Sequence, residues 1–343
     1  MLSVAPASRS ADLAQVADGI WVATSRIWAT NSTIIVGERD EALLIDPAVT
    51  PAELDAIAAA IAERGWTVVA GASTHPHWDH VLWSRSLADV SFGDCPRFAT
   101  QKAIDVLRAD LEHTWFEALD TAPDLDRAHF AALTPLGTAV SAPPGAIVPL
   151  LPPAPLGVRA LVHDAHKPGS LALIARGVLI AGDLLSDTEI PLLDLGPGGD
   201  LNRAPWDPVA DYLWTLECLW NALDVFDVEV LVPGHGSVVS GRAAIRDRIA
   251  RDRAYLRALE SSAKPVVRPW RVGCGNPACW CYTAVRLGHS GDAASPAAVA
   301  ARAAVLTQAP SDGPRLTDSR LADSENAAAH AAHQAYLAIH RRR

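Results

Sequence analysis

Short apolar runs punctuated by turn residues, followed by longer amphipathic stretches, occur twice along this chain. After Asp18-Gly19 the runs Ile20 to Thr24, Thr33 to Val36 and Ala42 to Asp46 are rich in β-branched residues. Turns such as Gly37-Glu38-Arg39-Asp40 separate them, which predicts the strands of a meander. Pro51 to Arg64 reads as a helix: Thr50 caps it, Pro51 suits the first helical position, and Leu54, Ile57, Ala58 and Ile61 form an apolar stripe. Gly65 ends that helix and Thr67 to Ala72 is the next strand. This unit delivers the chain to Ser73-Thr74-His75.

The second series begins after a helical stretch, Thr100 to Leu119, and a further predicted helix, Asp124 to Leu133. Pro143-Pro144 and Pro152-Pro153-Ala154-Pro155 mark loops or edge segments. Strand patterns resume over Ile147 to Leu151, Val158 to His163, Leu171 to Ala175 and Val178 to Ala181. Asp207 to Leu223 is helical, with Trp214 and Trp220 on its apolar side. Val228 to Val232 is a last strand, and Gly241 to Leu259 an amphipathic helix. The pattern divides the chain into a loose arm over 1–12, a folded domain over 13–260 and an extension over 261–343. Within the extension 262–312 has poor periodicity, which is the pattern of partial disorder, and Glu325 to His340 forms a terminal helix. Two strand series, each followed by helices, predict two mixed sheets flanked by helices.

Composition narrows the function classes. The 29 Lys and Arg against 39 Asp and Glu give a net charge of −10, which argues against a nucleic-acid binder. No apolar run approaches the roughly 18 residues of a membrane span, and Met1-Leu2-Ser3-Val4-Ala5-Pro6 lacks the basic-then-apolar pattern of a signal peptide. A cytoplasmic protein is therefore expected. Five Cys, an odd number, do not suggest a disulfide framework. Cys95 and Cys218 read as packing residues. Cys274, Cys279 and Cys281 either hold a structural zinc with a fourth ligand such as His289, or are reduced thiols in a solvent-facing insertion. His330, His333 and His340 share one helix face and read as surface residues, and Arg341-Arg342-Arg343 as a solvated charge run.

The chemistry concentrates in Thr74-His75-Pro76-His77-Trp78-Asp79-His80. Alternate side chains of an extended segment share one side, so His75, His77 and Asp79 converge, while His80 points elsewhere and suits a second, adjacent metal. Imidazole nitrogen and carboxylate oxygen are the ligands of catalytic zinc. Three later residues fall at strand ends, where α/β proteins build sites: His166 in His-Lys-Pro-Gly-Ser, Asp183 after Val178-Leu179-Ile180-Ala181-Gly182, and His235 in Pro-Gly-His-Gly. His163, three residues before His166, is the competing candidate for the third position. Trp78 and Trp83 either line a substrate cleft or serve ordinary packing.

In this order, these motifs resemble the metallo-β-lactamase-fold hydrolase superfamily over about residues 13 to 260, including Leu43-Leu44-Ile45-Asp46, which looks like the family's early strand. The resemblance implies a four-layered αββα sandwich with a dinuclear site at one edge. It implies that His75, His77 and His166 bind one divalent ion, that Asp79, His80 and His235 bind a second, and that Asp183 bridges them. Asp79 and Asp183 are implied as catalytic carboxylates, and Asp46 as a supporting residue behind the ligands, its other reading being an Asp-Pro turn. The expected ions are two zincs, with iron or manganese as alternatives.

The expected reaction is hydrolysis of an ester, lactone or thioester by a metal-bridged hydroxide. Phosphodiester hydrolysis and a mononuclear-iron, persulfide dioxygenase-like oxidation are the alternatives. True β-lactamases of this fold carry Cys or Ser where Asp183 stands, which disfavours β-lactams. The expected partner is a small-molecule substrate, with neither nucleic acid nor membrane. A homodimer is compatible with the reading.

Overall fold

A computed structural model of the chain describes residues 10–139, 142–152, 156–193, 207–262 and 318–340. Two sheets stack face to face. The first runs in the order β1 (Ala14–Ala17), β2 (Ile20–Thr24), β3 (Asn31–Val36), β4 (Glu41–Ile45), β5 (Thr67–Ala72), β6 (Arg97–Ala99) and β7 (Thr134–Pro135). The second contains β8 (Ile147–Pro149), β9 (Arg159–His163), β10 (Ser170–Ala175), β11 (Val178–Ile180), β12 (Val230–Val232) and β13 (Val239–Ser240), ordered in space β13-β12-β11-β10-β9-β8.

The apolar runs are continuous because both faces of each sheet are covered. Ile35, Leu43 and Ile45 point between the sheets, where they share a core with Val162, Leu173, Ile180 and Val232. Their neighbours Ile34 and Leu44 point outward against Leu54, Ile57 and Ile61 of α1 (Pro51–Glu63). On the far side Leu161, Leu179 and Leu231 meet α5 (Pro208–Val225) and α6 (Arg242–Ser262), which are reached after α2 (Arg85–Asp89), α3 (Gln101–Ala109) and α4 (Leu111–Thr121). The result is the αββα sandwich.

α1 starts where the sequence places it, with reciprocal bonds between Thr50 and Glu53. It carries the chain from β4 into β5, which pair in parallel; α5 does the same between β11 and β12. Both crossovers therefore bring strand C-termini to the same kind of place, a sheet edge from which loops can carry chemistry.

Four expectations need correction. Thr100 to Leu119 is not one helix: it breaks at Asp110, whose φ of −132° and ψ of 26° fall outside helical values. Asp is a weak helix-interior residue because its carboxylate competes for local backbone bonds. Asp124 to Leu133 forms turns, one of them held by the Asp126 carboxylate accepting from Ala128 N–H at 2.9 Å. Trp220 packs against the outer core, but Trp214 is 55% exposed. His333 is buried, not on the surface, and His330 packs beside it.

The last correction concerns α7 (Ser324–His340), which lies against α6. Leu193 N–H donates to His333 Nε2 at 3.2 Å, so that nitrogen carries the lone pair. His333 Nδ1 then donates to Tyr255 Oη at 3.1 Å, and that hydroxyl donates to His330 Nδ1 at 3.1 Å. Burial pushes the His333 pKa down to about 3, which keeps the ring neutral for this chain of bonds. The side chain of His340, residues 1–9, the segment holding Cys274, Cys279, Cys281 and His289, and Arg341-Arg342-Arg343 lie outside the described residues. Cys95 and Cys218 are partly buried against the cores. No helix among the described residues is long and apolar enough to cross a membrane.

Candidate metal centre

Four loops converge at the edge of the sandwich. The segment after β5 is extended only as far as His77, which then opens a 3-10 turn over Trp78–His80. Alternation therefore holds for His75 and His77 and fails at Asp79, which the turn swings round to the side of His80. His166 comes from the loop between β9 and β10, Asp183 follows β11, and His235 follows β12.

Ligand atoms of His75, His77, His166 and Asp183 lie within 4.8 Å of one another, as do those of Asp79, His80 and His235. In the first group His75 Nε2 and His166 Nε2 stand 3.1 and 3.0 Å from His77 Nδ1. Asp183 Oδ2 lies 3.2 Å from His75 Nε2, 3.3 Å from His166 Nε2 and 3.8 Å from His77 Nδ1. In the second group His80 Nε2 and His235 Nε2 are 3.3 Å apart, and lie 3.5 and 3.4 Å from Asp79 Oδ2. The other oxygen, Asp183 Oδ1, faces them at 3.1 and 3.3 Å. One carboxylate thus gives one oxygen to each group. Tetrahedral bonds of the length zinc makes to nitrogen put the ligand atoms about 3.3 Å apart, the spacing seen here.

The ring orientations fit ligation as well. His80 Nδ1–H donates to Asp46 Oδ2 at 2.9 Å, and His166 Nδ1–H donates to the Leu192 carbonyl at 2.9 Å. Thr74 Oγ1 donates to Asp46 Oδ2 at 2.6 Å and so accepts from His75 Nδ1, 3.0 Å away. Thr30 Oγ1 donates to the Ile27 carbonyl and so accepts from His235 Nδ1 at 3.2 Å. Four rings therefore turn Nε2 lone pairs into the site, each fixed from behind by an oxygen. Asp183 Oδ1 is buried and makes no hydrogen bond, an open acceptor in a site that a cation would satisfy.

Electrostatics separate the two halves. Burial, together with the neighbouring rings, brings His75 down to about 3 despite Asp183, and burial also holds His77 well below the usual imidazole range. Burial opposes charge at His235 too, but the carboxylates of Glu189, Asp183 and Asp79 outweigh it and raise its pKa to about 10. His80 is raised well above the usual range, against burial, by Asp183, Asp79 and Asp46. Burial alone would raise Asp183; His75, His235 and His80 instead hold it well below the usual carboxylate range. Positive charge is favoured between these carboxylates, whether as protons or as a divalent ion.

The backbone makes room for this arrangement. At Gly182, with φ +56°, a Cβ would press on the Thr74 side chain. At Gly234 a Cβ would strike the Asp183 carboxylate and approach the Gly182 carbonyl carbon to 2.9 Å. Asn31 clamps the turn carrying His235, its Nδ2 donating to the Pro233 and Gly236 carbonyls at 2.9 Å each. Thr30, Asn31 and Glu189 have no distinguishing local pattern in the sequence. Trp83 is buried in the core beneath Gly71, and Trp78 is buried against Trp28, with ring centroids 5.7 Å apart, so both pack rather than line an open cleft. His163 is buried 1% exposed outside the ligand groups, its Nδ1 accepting from Ala165 N–H at 3.3 Å.

Asp46, at φ +47° just past β4, accepts from Thr74 N–H at 2.8 Å as well as from Thr74 Oγ1 and His80. The Asp46→Asn substitution replaces one acceptor oxygen with a donor facing donors. It should weaken metal affinity about 10–100-fold, read by chelator competition. Wild-type affinity in that variant would show that Asp46 does not govern the ligands.

Among solved structures the chain is similar to a β-lactamase domain protein from Burkholderia ambifaria, at 22% identity and a TM-score of 0.50, over 76% of this chain and 81% of that one. It is also similar to metallo-β-lactamases from Hirschia baltica (18% identity, TM-score 0.45, 71% and 97% covered) and Erythrobacter litoralis (17%, 0.44, 70% and 95%). These likenesses concern the fold alone. No curated protein matches the chain. The family model described as the metallo-beta-lactamase superfamily matches residues 26–235, more than half of the sequence and every residue of both ligand groups. By that match, laid over the two-sheet sandwich and its His and Asp cluster, the chain belongs to the metallo-beta-lactamase superfamily.

Proposed function

We propose that this chain is a dinuclear metal-dependent hydrolase acting on an ester, lactone or thioester of a small molecule. The observation that carries the reading is the split Asp183 carboxylate, with Oδ2 toward His75, His77 and His166 and Oδ1 toward His80 and His235. His75, His77, His166 and Asp183 would hold one divalent ion; Asp79, His80, His235 and Asp183 would hold the other, zinc being the ion their donors suit best. Divalent ions at such a site act as Lewis acids, polarising a carbonyl oxygen and bringing the ionisation of water near neutral pH.

The residues of the chain do the rest. His77 is the open ligand, its side chain 30% exposed while those of the other ligands are buried, so substrate approaches over it. Burial of the remaining ligands limits bulk water around them and strengthens the local field. Asp79 and Asp183 would supply carboxylate oxygens to the ions, Asp183 one to each half.

Metal quantification on purified protein, followed by a panel of lactones, thioesters and phosphodiesters, tests the reading. Two zincs per chain, with turnover of lactones or thioesters that chelation abolishes and zinc restores, is expected. One iron per chain with oxygen uptake, or β-lactam turnover matching the best substrate, would overturn it.

A further inference from the structure

We propose that the Glu189 carboxylate is a direct ligand of the second metal ion, beside Asp183 and His235; this rests on the dinuclear reading. A carboxylate oxygen of Glu189 lies within 4.8 Å of ligand atoms of both residues, forming a third donor group that shares Asp183 and His235 with the other two. Asp183 Oδ1, the oxygen on this side, is buried without a hydrogen bond.

Glu189 is held in place by its backbone. Its N–H donates to Ser186 Oγ at 3.0 Å, and its carbonyl accepts from Arg320 Nη1 at 2.8 Å. On either side, Ile190 N–H donates to Asn326 Oδ1 at 3.0 Å and the Thr188 carbonyl accepts from Asn326 Nδ2 at 2.8 Å. Two residues before it, Asp187 Oδ1 accepts from Ser237 N–H at 2.8 Å, which fastens this loop to the turn that carries His235. The segment from 318 to 326 thus positions the loop that carries the Glu189 carboxylate. A backbone so restrained leaves only the side-chain torsions of Glu189 to be ordered on binding a cation.

With Glu189 included, the two halves differ in donor chemistry. The first has three imidazoles and the shared carboxylate. The second has two imidazoles, His80 and His235, and three carboxylates, Asp79, Asp183 and Glu189. Oxygen-rich sets suit harder ions such as Mn²⁺, and imidazole-rich sets suit zinc. The second half therefore accepts Mn²⁺ more readily than the first.

The test strips the full chain of metal and titrates wild type and Glu189→Gln separately with Zn²⁺ and Mn²⁺. Bound ions are counted by elemental analysis after desalting, and Mn²⁺ is followed by electron paramagnetic resonance. Wild type should take two ions. Glu189→Gln should bind the second ion at least about 10-fold more weakly, with the first ion's affinity unchanged and the Mn²⁺ loss exceeding the Zn²⁺ loss. Coincident melting curves of the metal-free proteins show that the fold is intact. If the Gln variant does not fold, Glu189→Asp, which keeps the charge and shortens the reach, should weaken the second ion by the same criterion. Wild-type affinity for two ions in the variant overturns the role of Glu189 and leaves the dinuclear reading standing. A wild-type chain that takes a single ion overturns both.

Discussion

Asp183→Asn should leave the protein folded, with less than one divalent ion per chain and hydrolysis reduced at least about 10³-fold. The size of the effect follows from the position of one side chain. His75, His77 and His166 meet Asp183 Oδ2, and His80 and His235 meet Oδ1. An amide in that place removes the only negative charge common to both groups. It also turns an N–H₂ toward ring nitrogens whose other sides already donate to oxygen, such as His80 Nδ1 to Asp46 and His166 Nδ1 to Leu192. Lone pairs and N–H groups can rearrange around one ion or neither, but the two halves no longer share a ligand. Elemental analysis gives the ion count and a lactone or thioester assay gives the rate. The melting temperature of the metal-free variant should fall below that of wild type at neutral pH, because the carboxylate that His75, His235 and His80 hold well below its usual range stabilises the fold as an anion, and the amide cannot. Two ions per chain in Asp183→Asn would exclude the shared-ligand arrangement.

The sequence makes most of these ligands visible for a physical reason. His75, His77, His166, Asp183 and His235 sit in short segments that a strand pattern ends and a turn signal follows, so position and chemistry are both local properties. The same locality places Thr50, Pro51 and Glu53 at the start of α1. What fails is whatever depends on distant partners. Asp79 reaches its group because the chain turns into a 3-10 turn after His77, a change that strand alternation does not contain. Glu189 lies in an irregular loop whose conformation is set by Arg320 and Asn326, more than 130 residues away. His330 and His333, spaced three apart, look the same on a solvated face as on a packed one. Their burial follows from Tyr255 of α6 and the Leu193 amide. Trp214 shows the converse: an aromatic at an apparently apolar position of α5 is left exposed among the described residues.

The largest stability loss outside the ligands should come from Arg320→Ala, about 3–5 kcal/mol near pH 8. Arg320 is buried, and its guanidinium joins parts of the chain far apart in sequence. Nη1 donates to Asp252 Oδ1 of α6 at 2.6 Å and to the Ser186 and Glu189 carbonyls at 3.2 and 2.8 Å, while Nη2 meets Asp318 Oδ2 at 2.6 Å. Truncation leaves Asp252, itself 1% exposed, as a buried carboxylate without its cation, and two carbonyls without their donor. The cost must depend on pH, and its sign can be worked out. Burial raises the Asp252 pKa to about 6 even with Arg320 present, so in wild type the carboxyl is protonated below that value and charged above it. Removing the guanidinium raises the pKa further. Between the two values wild type holds a stabilised anion while the variant holds a proton, so the difference in stability grows as pH rises through about 6 and shrinks below it. Urea unfolding at pH 5 and pH 8 reads this directly: a partial loss at the lower pH, from the two carbonyls and from Asp318, whose pKa is lowered against burial by its bonds to Arg320, and the full loss at the higher. A loss of equal size at both would mean that the carbonyl donors of Arg320, not its charge, hold the C-terminal segment to the loop of Glu189.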